Sequence, residues 1–236
     1  MSKLSIIIPL CNEEGNIEKL VEELKNHFSV EDTCIYLLDN GSEDKTKQLI
    51  QNAVEKNGFL FQGIYLPENL GYGGGVRKGF EFISSEWVCW IPGDLQVRPS
   101  EVKDVWDYIK FHGNTDQVVK GKRISREDGW LNLCASKFYT MLGIVVLGLK
   151  IKDLNALPKF FPVDFIQQLP EKMERSFVFD AEMLYHAHMD GMAIIEYPVG
   201  WYKRYSGVSS WSGKRWQVYF ITFAKICLLR FKKVSS

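Results

Sequence analysis

The sequence predicts an α/β fold in which a mostly parallel, Rossmann-like sheet is flanked by helices. Short apolar runs alternate with segments whose apolar residues recur at helical spacing, which is typical of repeated βαβ units. The 236 residues suffice for one such domain, and the hydrophobic content of 46% supplies a sizeable core. Parallel sheets bind ligands outside the carboxyl ends of their strands, so the loops at those ends are the first candidates for a functional site.

Four strands and three helices are predicted in the first half of the chain. The strands are short apolar runs at residues 5–10, 33–39, 60–66 and 87–91. The first helix is indicated by apolar residues at helical spacing, namely Ile17, Leu20, Val21, Leu24 and Phe28. Ser42 is a suitable N-cap for a second helix over residues 44–57, and the segment PENLGYGGG opens a third that continues to about residue 83.

The second half is less regular. A strand is expected at residues 118–120, a long helix at 130–149 and another strand at 193–197. We expect one domain over residues 1–212 and an amphipathic, basic and aromatic helix over residues 213–236. Although the net charge is zero, residues 201–236 hold eight of the 29 basic residues and none of the 29 acidic ones. Such a tail indicates contact with a phosphate-rich surface, and the alternative is a solvated last helix.

Several protein classes are excluded by composition or motif. No stretch reaches the roughly 20 apolar residues of a spanning helix. The five cysteines are scattered without metal-ligand spacing, and the chain starts without a signal-peptide layout, so we expect reduced thiols and a cytosolic location. Gly71-Tyr72-Gly73 begins like a dinucleotide fingerprint, but Val76 holds the third glycine position and the motif follows the third strand. This argues against a nicotinamide or flavin enzyme.

Polar loops follow all four predicted strands of the first half. Asn12 and Glu13 follow the first strand, and Asp39 ends the second, where a carboxylate can accept the N–H groups of a nucleobase. Gly71 and Gly73 lie after the third strand, where glycines let a backbone approach a ligand and a helix start favours anions.

The fourth loop, in the segment WIPGDLQVRP, raises the question of a metal site. Asp94 and Gln96 follow the fourth strand, but Pro92 holds the place where a second carboxylate is common. Mg²⁺ often binds through one or two carboxylates together with phosphate oxygens and water. The loop is therefore either a metal site with one ligand missing or only a turn.

The order of these loops resembles the family 2 glycosyltransferases of the GT-A fold. The matching segments are SIIIPLCNEEGNI, LLDNGSEDKT, NLGYGGGVRKGF and WVCWIPGDLQVRP. In the second half, GKRISRED, SKFYTMLG, KDLNALPKFF and EYPVGWYKRYSGVSSW resemble the dolichyl-phosphate mannosyltransferase branch. The resemblance implies an inverting transfer from a GDP- or UDP-linked sugar to a polyprenyl phosphate, with Mg²⁺ or Mn²⁺ bound by Asp94 and Gln96.

The resemblance also assigns roles to residues. It implies catalytic roles for Asp94, Arg123, Arg204 and Asp153. It implies substrate contacts for Pro9, Asn12, Glu13, Asp39, Asn69, Gly71, Gly73, Arg126, Ser136, Lys159 and Ser206. Arg123 and Arg126 are expected to face phosphates, Arg204 to close over the donor, and Asp153 to orient a sugar hydroxyl. Asp180 and Glu182 lie where other branches place a base, or are structural.

A polyprenyl phosphate is already an anionic nucleophile at neutral pH, because the second pKa of a phosphate monoester is about 6. Such a reaction needs no strong general base, and it requires cations and alignment instead. Two rivals stay open: a transferase for a soluble glycan or protein acceptor, and a degenerate homologue that only binds nucleotide, for which Pro92 is the best support.

The tail predicts peripheral contact with the cytosolic membrane face or with a membrane partner subunit, and no nucleic acid is expected. On a helix, Arg215, Lys225 and Lys232 fall near one stripe with aromatic flanks, and such a helix can lie among lipid headgroups. The alternative is that the aromatic residues cover the core or a partner subunit.

Overall fold

The structure, a computed structural model, describes residues 3–127, 130–207 and 215–231, and of residues 130–132 and 215–220 it describes the backbone alone. The strands are β1 (Leu4–Leu10), β2 (Thr33–Asn40), β3 (Phe61–Leu66), β4 (Trp87–Trp90), β5 (Gln117–Arg123), β6 (Lys159–Pro162) and β7 (Ala193–Val199). The helices are α1 (Glu14–His27), α2 (Thr46–Asn57), α3 (Tyr72–Gly79), α4 (Pro99–His112), α5 (Trp130–Leu147), α6 (Val163–Gln167), α7 (Phe179–Met189) and α8 (Arg215–Leu229).

The strands form one sheet in the order β3-β2-β1-β4-β6-β5-β7. β3, β2, β1 and β4 are parallel neighbours, and β5 and β7 are also parallel. β6 pairs antiparallel with β4 on one side and β5 on the other. The prediction of a mostly parallel sheet flanked by helices is confirmed.

The core lies on both faces of β1, because helices cover the sheet on both sides. Ile6, Ile7 and Ile8 are consecutive in this strand and all are fully buried. A strand buried on both faces is expected to read as a continuous apolar run, as this one does. Its carboxyl end is therefore a rigid support for the loop that follows.

Two helix boundaries differ from the sequence prediction. Ser42 does not cap α2, which begins at Thr46; the Ser42 hydroxyl instead accepts a hydrogen bond from the Asn12 N–H at 3.1 Å. Asp44 accepts from the Thr46 N–H at 2.9 Å. α3 ends at Gly79, short of the predicted residue 83. The Ser42 hydroxyl, which was predicted to cap α2, thus joins the loop after β2 to the loop after β1.

α4 and β6 are among the elements that were not predicted. α4 follows the Asp94 loop and has Pro99 in its first turn, a position that tolerates the missing N–H of proline. β6 has only four residues and is too short to give a periodic pattern. It nevertheless places Lys159 opposite Trp90 of β4 and Lys120 of β5.

The C-terminal helix α8 packs against α5 and α7. Ile226 and Leu229 of α8 are buried, and the rings of Phe223 and Phe138 of α5 stack with centroids 6.3 Å apart. Part of α8 therefore covers the core, which was the alternative to a fully membrane-facing tail. Within the residues that the structure describes, no helix has both the length and the apolar character to cross a membrane.

Candidate active site

The loops after β1 and β2 are joined by reciprocal hydrogen bonds. The Asn12 side-chain oxygen accepts from the Glu43 N–H at 2.8 Å, while the Asn12 N–H donates to Ser42. The Glu13 N–H donates to the Thr46 hydroxyl at 2.8 Å. Asn12 has φ of 55°, a region that non-glycine residues seldom adopt outside constrained sites. These bonds fix the orientation in which Glu13 leaves the end of β1.

A buried amide holds the loop after β3. Asn40 donates to the Gly71 carbonyl at 3.0 Å and accepts from the Leu70 N–H at 3.0 Å. It also donates to the Asn69 side-chain oxygen at 3.3 Å. Asn40 was not singled out from the sequence, although it stands directly after Asp39 in the DNGS motif. The neighbouring Asp39 is buried, and its carboxylate accepts from the Ser42 N–H at 3.1 Å.

The glycine run has a different structural reason from the predicted one. A Cβ on Gly71 would lie 2.6 Å from the Arg175 carbonyl oxygen, and a Cβ on Gly73 would lie 2.5 Å from the Glu174 carbonyl oxygen. The Gly73 N–H donates to the Arg175 carbonyl at 2.9 Å. The lack of a Cβ at these glycines therefore admits the backbone of residues 174–175. Gly71 also needs glycine for its φ of +77°.

Asp94 lies in a strained, buried turn after β4. The next residue, Leu95, has φ of 62°. Oδ1 of Asp94 accepts from the Gln96 N–H at 3.0 Å. The segment of residues 201–207, which we call the covering segment, pairs with this turn: the Tyr202 N–H donates to the Gln96 carbonyl at 3.0 Å and the Tyr205 N–H to the Asp94 carbonyl at 3.1 Å. The turn and the covering segment therefore form one unit.

Arg204 of the covering segment joins the loops after β1 and β4. Its Nη1 lies 3.0 Å from Oε1 of Glu13, and its Nη2 lies 2.9 Å from Oδ2 of Asp94. Burial raises the pKa of the Asp94 carboxyl above its ordinary value, although the charge of Arg204 opposes the shift. The pKa of Glu13 is raised for the same reason and is opposed by Arg204 in the same way. Both carboxylates thus favour a nearby cation.

Gln96 presents its amide nitrogen to Asp94. In the orientation that satisfies both neighbours, the nitrogen donates to Asp94 Oδ2 at 3.0 Å and the oxygen accepts from Trp201 Nε1 at 3.1 Å. The predicted metal ligand Gln96 therefore directs its oxygen to Trp201 in this structure. Coordination by Gln96 would require the amide to turn.

A second cluster forms at the end of β5. Arg123 grips Asp153 with two hydrogen bonds, from Nε at 2.7 Å and from Nη2 at 2.6 Å, and Nη2 also reaches the Ser136 hydroxyl of α5 at 2.5 Å. Burial tends to raise the pKa of Asp153, but the bonds and charge of Arg123 outweigh it and the pKa is lowered. Asp153, predicted to orient a sugar hydroxyl, is thus the partner of Arg123 in this structure.

Trp201 connects the two clusters. The Arg123 guanidinium lies 5.1 Å from the centre of the Trp201 ring, within the range of a cation–π contact. The indole nitrogen of the same ring donates to Gln96, which bonds to Asp94. Trp201 was not predicted as a site residue, because a single Trp before a basic run has no distinctive spacing.

Two lysines lie fully buried beneath these clusters. Lys159 forms an ion pair with Asp180 at 3.1 Å, and Asp180 also accepts from the Trp90 indole at 3.0 Å. Lys120 donates to the carbonyls of Gly121 and Asp153 and lies 3.4 Å from Glu196. Burial lowers the pKa of both lysines. The pKa of Lys120 falls to about 8, because the charge of the neighbouring Lys159 lowers it further.

These ion pairs change two sequence-based assignments. Lys159 was predicted to contact substrate, but it is enclosed and paired with Asp180. Asp180 was left open between a base and a structural residue, and its contacts with Lys159 and Trp90 favour the structural role. Glu182 accepts a hydrogen bond from the Glu174 N–H at 2.6 Å, which supports the segment against the glycine run.

The comparison with protein families decides the membership of the chain. Residues 5–168 match the model of glycosyl transferase family 2. The chain belongs to this family. The matched range covers the four loops, Arg123 and Asp153, and it ends before the covering segment.

Curated relatives in this family are named for a lipid acceptor. The chain is 25% identical over 178 residues to an undecaprenyl-phosphate 4-deoxy-4-formamido-L-arabinose transferase of Serratia proteamaculans, covering 75% of the chain and 54% of that protein. It is 26% identical over 180 residues to the protein of the same name from Aeromonas hydrophila, covering 73% and 53%. The chain thus spans about half the length of the curated relatives that it matches.

Solved structures confirm the GT-A fold. Glucosyl-3-phosphoglycerate synthase of Mycobacterium tuberculosis, in complex with Mn²⁺, UDP and phosphoglyceric acid, aligns with a TM-score of 0.72 at 16% identity, covering 96% of this chain and 78% of that one. The complex of that enzyme with UDP alone aligns with a TM-score of 0.71 at 18% identity, covering 96% and 80%. At these identities the likeness supports the fold.

The remaining predicted residues of this family 2 domain lie around the same edge of the sheet. Pro9 pairs with Leu38 of β2 near the end of β1. Arg126 lies half-buried in the loop after β5. Ser206 lies over α1, where its carbonyl accepts from Asn16 at 3.4 Å.

The loop after β4 offers one buried carboxylate to a divalent cation. In the described parts of the chain no three His, Cys, Asp or Glu side chains cluster as a metal site. The donor set is instead one buried carboxylate, Asp94, beside Gln96, and a guanidinium already stands on that carboxylate as a cation. Oxygen donors of this kind suit Mg²⁺ or Mn²⁺ when a diphosphate supplies further ligands.

Proposed function

We propose that the chain transfers a sugar from a nucleotide-diphosphate sugar to a polyprenyl phosphate, with inversion and with Mg²⁺ or Mn²⁺. The observation that carries the proposal is the continuous connection from Asp94 through Gln96 and Trp201 to Arg123. It joins a cation-binding carboxylate to a second arginine cluster at one edge of the sheet. Two adjacent sites of this charge suit a reaction in which both substrates carry phosphate.

The donor is assigned to the loops after β1 to β4. The buried Asp39 accepts a hydrogen bond from the loop after β2, and Asn69 in the loop after β3 accepts one from Asn40, the residue next to Asp39. The metal would be held by Asp94, with Gln96 after its amide turns, and when bound it would neutralise the diphosphate. GDP and UDP are both open as the nucleotide.

The acceptor is assigned to the cluster of Arg123, Asp153 and Ser136. An acceptor phosphate would replace part of the contact between Arg123 and Asp153, since a guanidinium binds phosphate with the same fork geometry as carboxylate. A phosphate oxygen attacks the anomeric carbon while the bond from that carbon to the donor diphosphate breaks. The configuration inverts, and Arg204 lies where it can meet the charge that grows on the leaving group.

The acceptor's lipid chain would explain why α5 and α8 expose an apolar face. The face exposes Phe138, Met141, Ile144 and Val145 of α5 and Ile221, Leu228 and Phe231 in and just after α8. α5 also carries Ser136, which contacts Arg123. A helix that lies in the cytosolic surface of a membrane would thus bring a lipid-borne phosphate to Arg123. A membrane partner subunit is the other candidate for covering this face.

In the described part of the tail, the structure does not show the cationic stripe that was predicted. Lys225, which was predicted to belong to that stripe, forms an ion pair with Glu174 instead: its Nζ lies 2.7 Å from Glu174 Oε2. Lys232 and the side chain of Arg215 lie outside the described residues. The proposed membrane contact therefore rests on the apolar face rather than on the stripe.

The proposal is tested with purified protein, undecaprenyl phosphate in detergent, and a panel of UDP- and GDP-sugars with Mg²⁺ or Mn²⁺. We expect one donor to give a lipid-linked sugar and the variant Asp94→Asn to give none. Transfer only to soluble glycans or phosphorylated small acceptors would replace the proposed acceptor. Binding of nucleotide without any transfer would favour the degenerate homologue.

A further inference from the structure

The guanidinium of Arg204 uses the carboxylate oxygen that a metal would need. Asp94 has two oxygens: Oδ1 accepts the Gln96 backbone N–H at 3.0 Å, whereas Oδ2 lies 2.9 Å from Arg204 Nη2 and accepts from the Gln96 side-chain amide at 3.0 Å. The carboxylate is 5% exposed, so solvent offers little room for an additional ligand. A divalent cation that binds Oδ2 would therefore have to displace Arg204 and turn the Gln96 amide away.

Glu13 holds the other end of the same guanidinium. Arg204 Nη1 lies 3.0 Å from Glu13 Oε1, and the Glu13 carboxylate also accepts from the Asn16 side chain. Its backbone N–H is fixed by Thr46. Glu13 is thus positioned independently of Asp94, and it can retain Arg204 after the contact with Asp94 is lost.

The covering segment gives Arg204 a defined place without locking it. Residues 202 and 205 bond through their N–H groups to the Asp94 turn, and the Lys203 N–H donates to Glu127 at 3.0 Å. Gly207 follows with φ of +79°. The Arg204 side chain is 24% exposed, so it can turn about its own bonds while this backbone stays docked.

We propose that Arg204 takes the place of a metal beside Asp94 in the ligand-free protein. It would leave Asp94 when a metal and a diphosphate bind, and Glu13 would then retain it beside the leaving group. This rests on the proposed function, since it takes Asp94 as the metal ligand. Metal alone has to compete with a guanidinium, whereas a diphosphate brings the negative charge that accommodates both cations. Metal and nucleotide therefore bind cooperatively, and Glu13 acts as a positioning residue.

The test is direct binding of Mn²⁺, followed by electron paramagnetic resonance, to the full chain with and without UDP or GDP. Arg204→Gln should bind Mn²⁺ alone about tenfold more tightly than the wild type and lose most of the gain that nucleotide gives. Arg204→Lys keeps a charge and should stay nearer to the wild type. The matched control is Lys203→Ala, an exposed cation of the same segment, which should change Mn²⁺ affinity by less than about twofold.

Unchanged or weaker binding of Mn²⁺ alone to folded Arg204→Gln would overturn the inference. So would undiminished Mn²⁺ binding in Asp94→Asn, because the metal would then lie elsewhere. Circular dichroism shows whether each variant is folded. Since no sugar or acceptor is present, the result is independent of the transfer assay: a chain that fails to glycosylate polyprenyl phosphate can still show the competition, and an active one can lack it.

Discussion

The donor side and the acceptor side of the site are held by different forces. The loops after β1 to β4 are fixed by hydrogen bonds between backbone groups and short side chains, such as those of Asn12 and Asn40. The region around β5 and β6 is fixed by buried ion pairs, Arg123 with Asp153 and Lys159 with Asp180. Apart from the part-exposed Arg204, which pairs with Glu13 and Asp94, the donor loops are held by hydrogen bonds that can shift to accept a new ligand. A buried charge such as Arg123 requires a replacement partner when its own is removed.

The largest expected effect is on catalysis at the donor side. Asp94→Asn should lower kcat/KM at least about 100-fold, as the loss of a charged group that stabilises a transition state does. The free energy of unfolding should change by less than about 1 kcal/mol. Burial raises the pKa of Asp94, so the charge of this carboxylate is not what stabilises the protein. Urea unfolding and initial rates measure the two quantities. Asp104→Asn, on the exposed side of α4, is the control and should be neutral in both.

The corresponding change at the acceptor side should damage stability as well. Asp153→Ala leaves the buried Arg123 without its bidentate partner and should lower the free energy of unfolding by about 3 kcal/mol. The double variant Arg123→Met with Asp153→Leu should regain much of this stability but no transfer activity. A cost below about 1 kcal/mol for Asp153→Ala would show that the two sides are not held differently. Asp164→Ala, an exposed carboxylate of α6, is the control.

The buried lysines make the acceptor side sensitive to pH. The pKa of Lys120 is lowered from 10.5 to about 8 in the folded protein, mainly by burial and then by Lys159, against the opposing effect of Glu196 and Asp153. Between these two values the unfolded chain binds more protons than the folded one, so stability rises with pH. Relative to Lys120→Met, the wild type should gain about 2 kcal/mol of unfolding free energy from about pH 7 to about pH 9.5.

Chemical denaturation of both proteins across this range measures the gain in stability. A difference between them that does not change with pH would mean that Lys120 stays charged in the fold throughout. Below about pH 8 the difference should level off, since Lys120 is then protonated in both the folded and the unfolded state.

The same contrast explains which parts of the molecule the sequence predicted. The donor loops are contiguous motifs after strands, so Asp39, Asn69 and Asp94 were found with their strands. The acceptor side depends on partners 30 residues apart, as in Arg123 with Asp153, and a pairing of this length has no local pattern. β6 was missed because four residues carry no periodicity. The contact between the glycine run and residues 174–175 was missed because that segment comes about 100 residues later in the chain.

The smallest expected effect on stability is at the tail, where the charges lie at the surface rather than inside the domain. Lys225 pairs with Glu174, but the lysine side chain is 35% exposed, so Lys225→Ala should cost only about 0.5 kcal/mol of unfolding free energy. Because this cation is already paired with the domain, its loss should weaken binding to anionic vesicles by less than about twofold. Arg230 is exposed directly after the same helix. Arg230→Ala should weaken vesicle binding about fivefold, since a basic residue near an anionic surface contributes about 1 kcal/mol. Co-sedimentation with vesicles at low and high salt measures both variants. If Lys225→Ala releases the protein from vesicles more than Arg230→Ala does, the ion pair with Glu174 must open at the membrane, and α8 must present its charges outward as the sequence predicted.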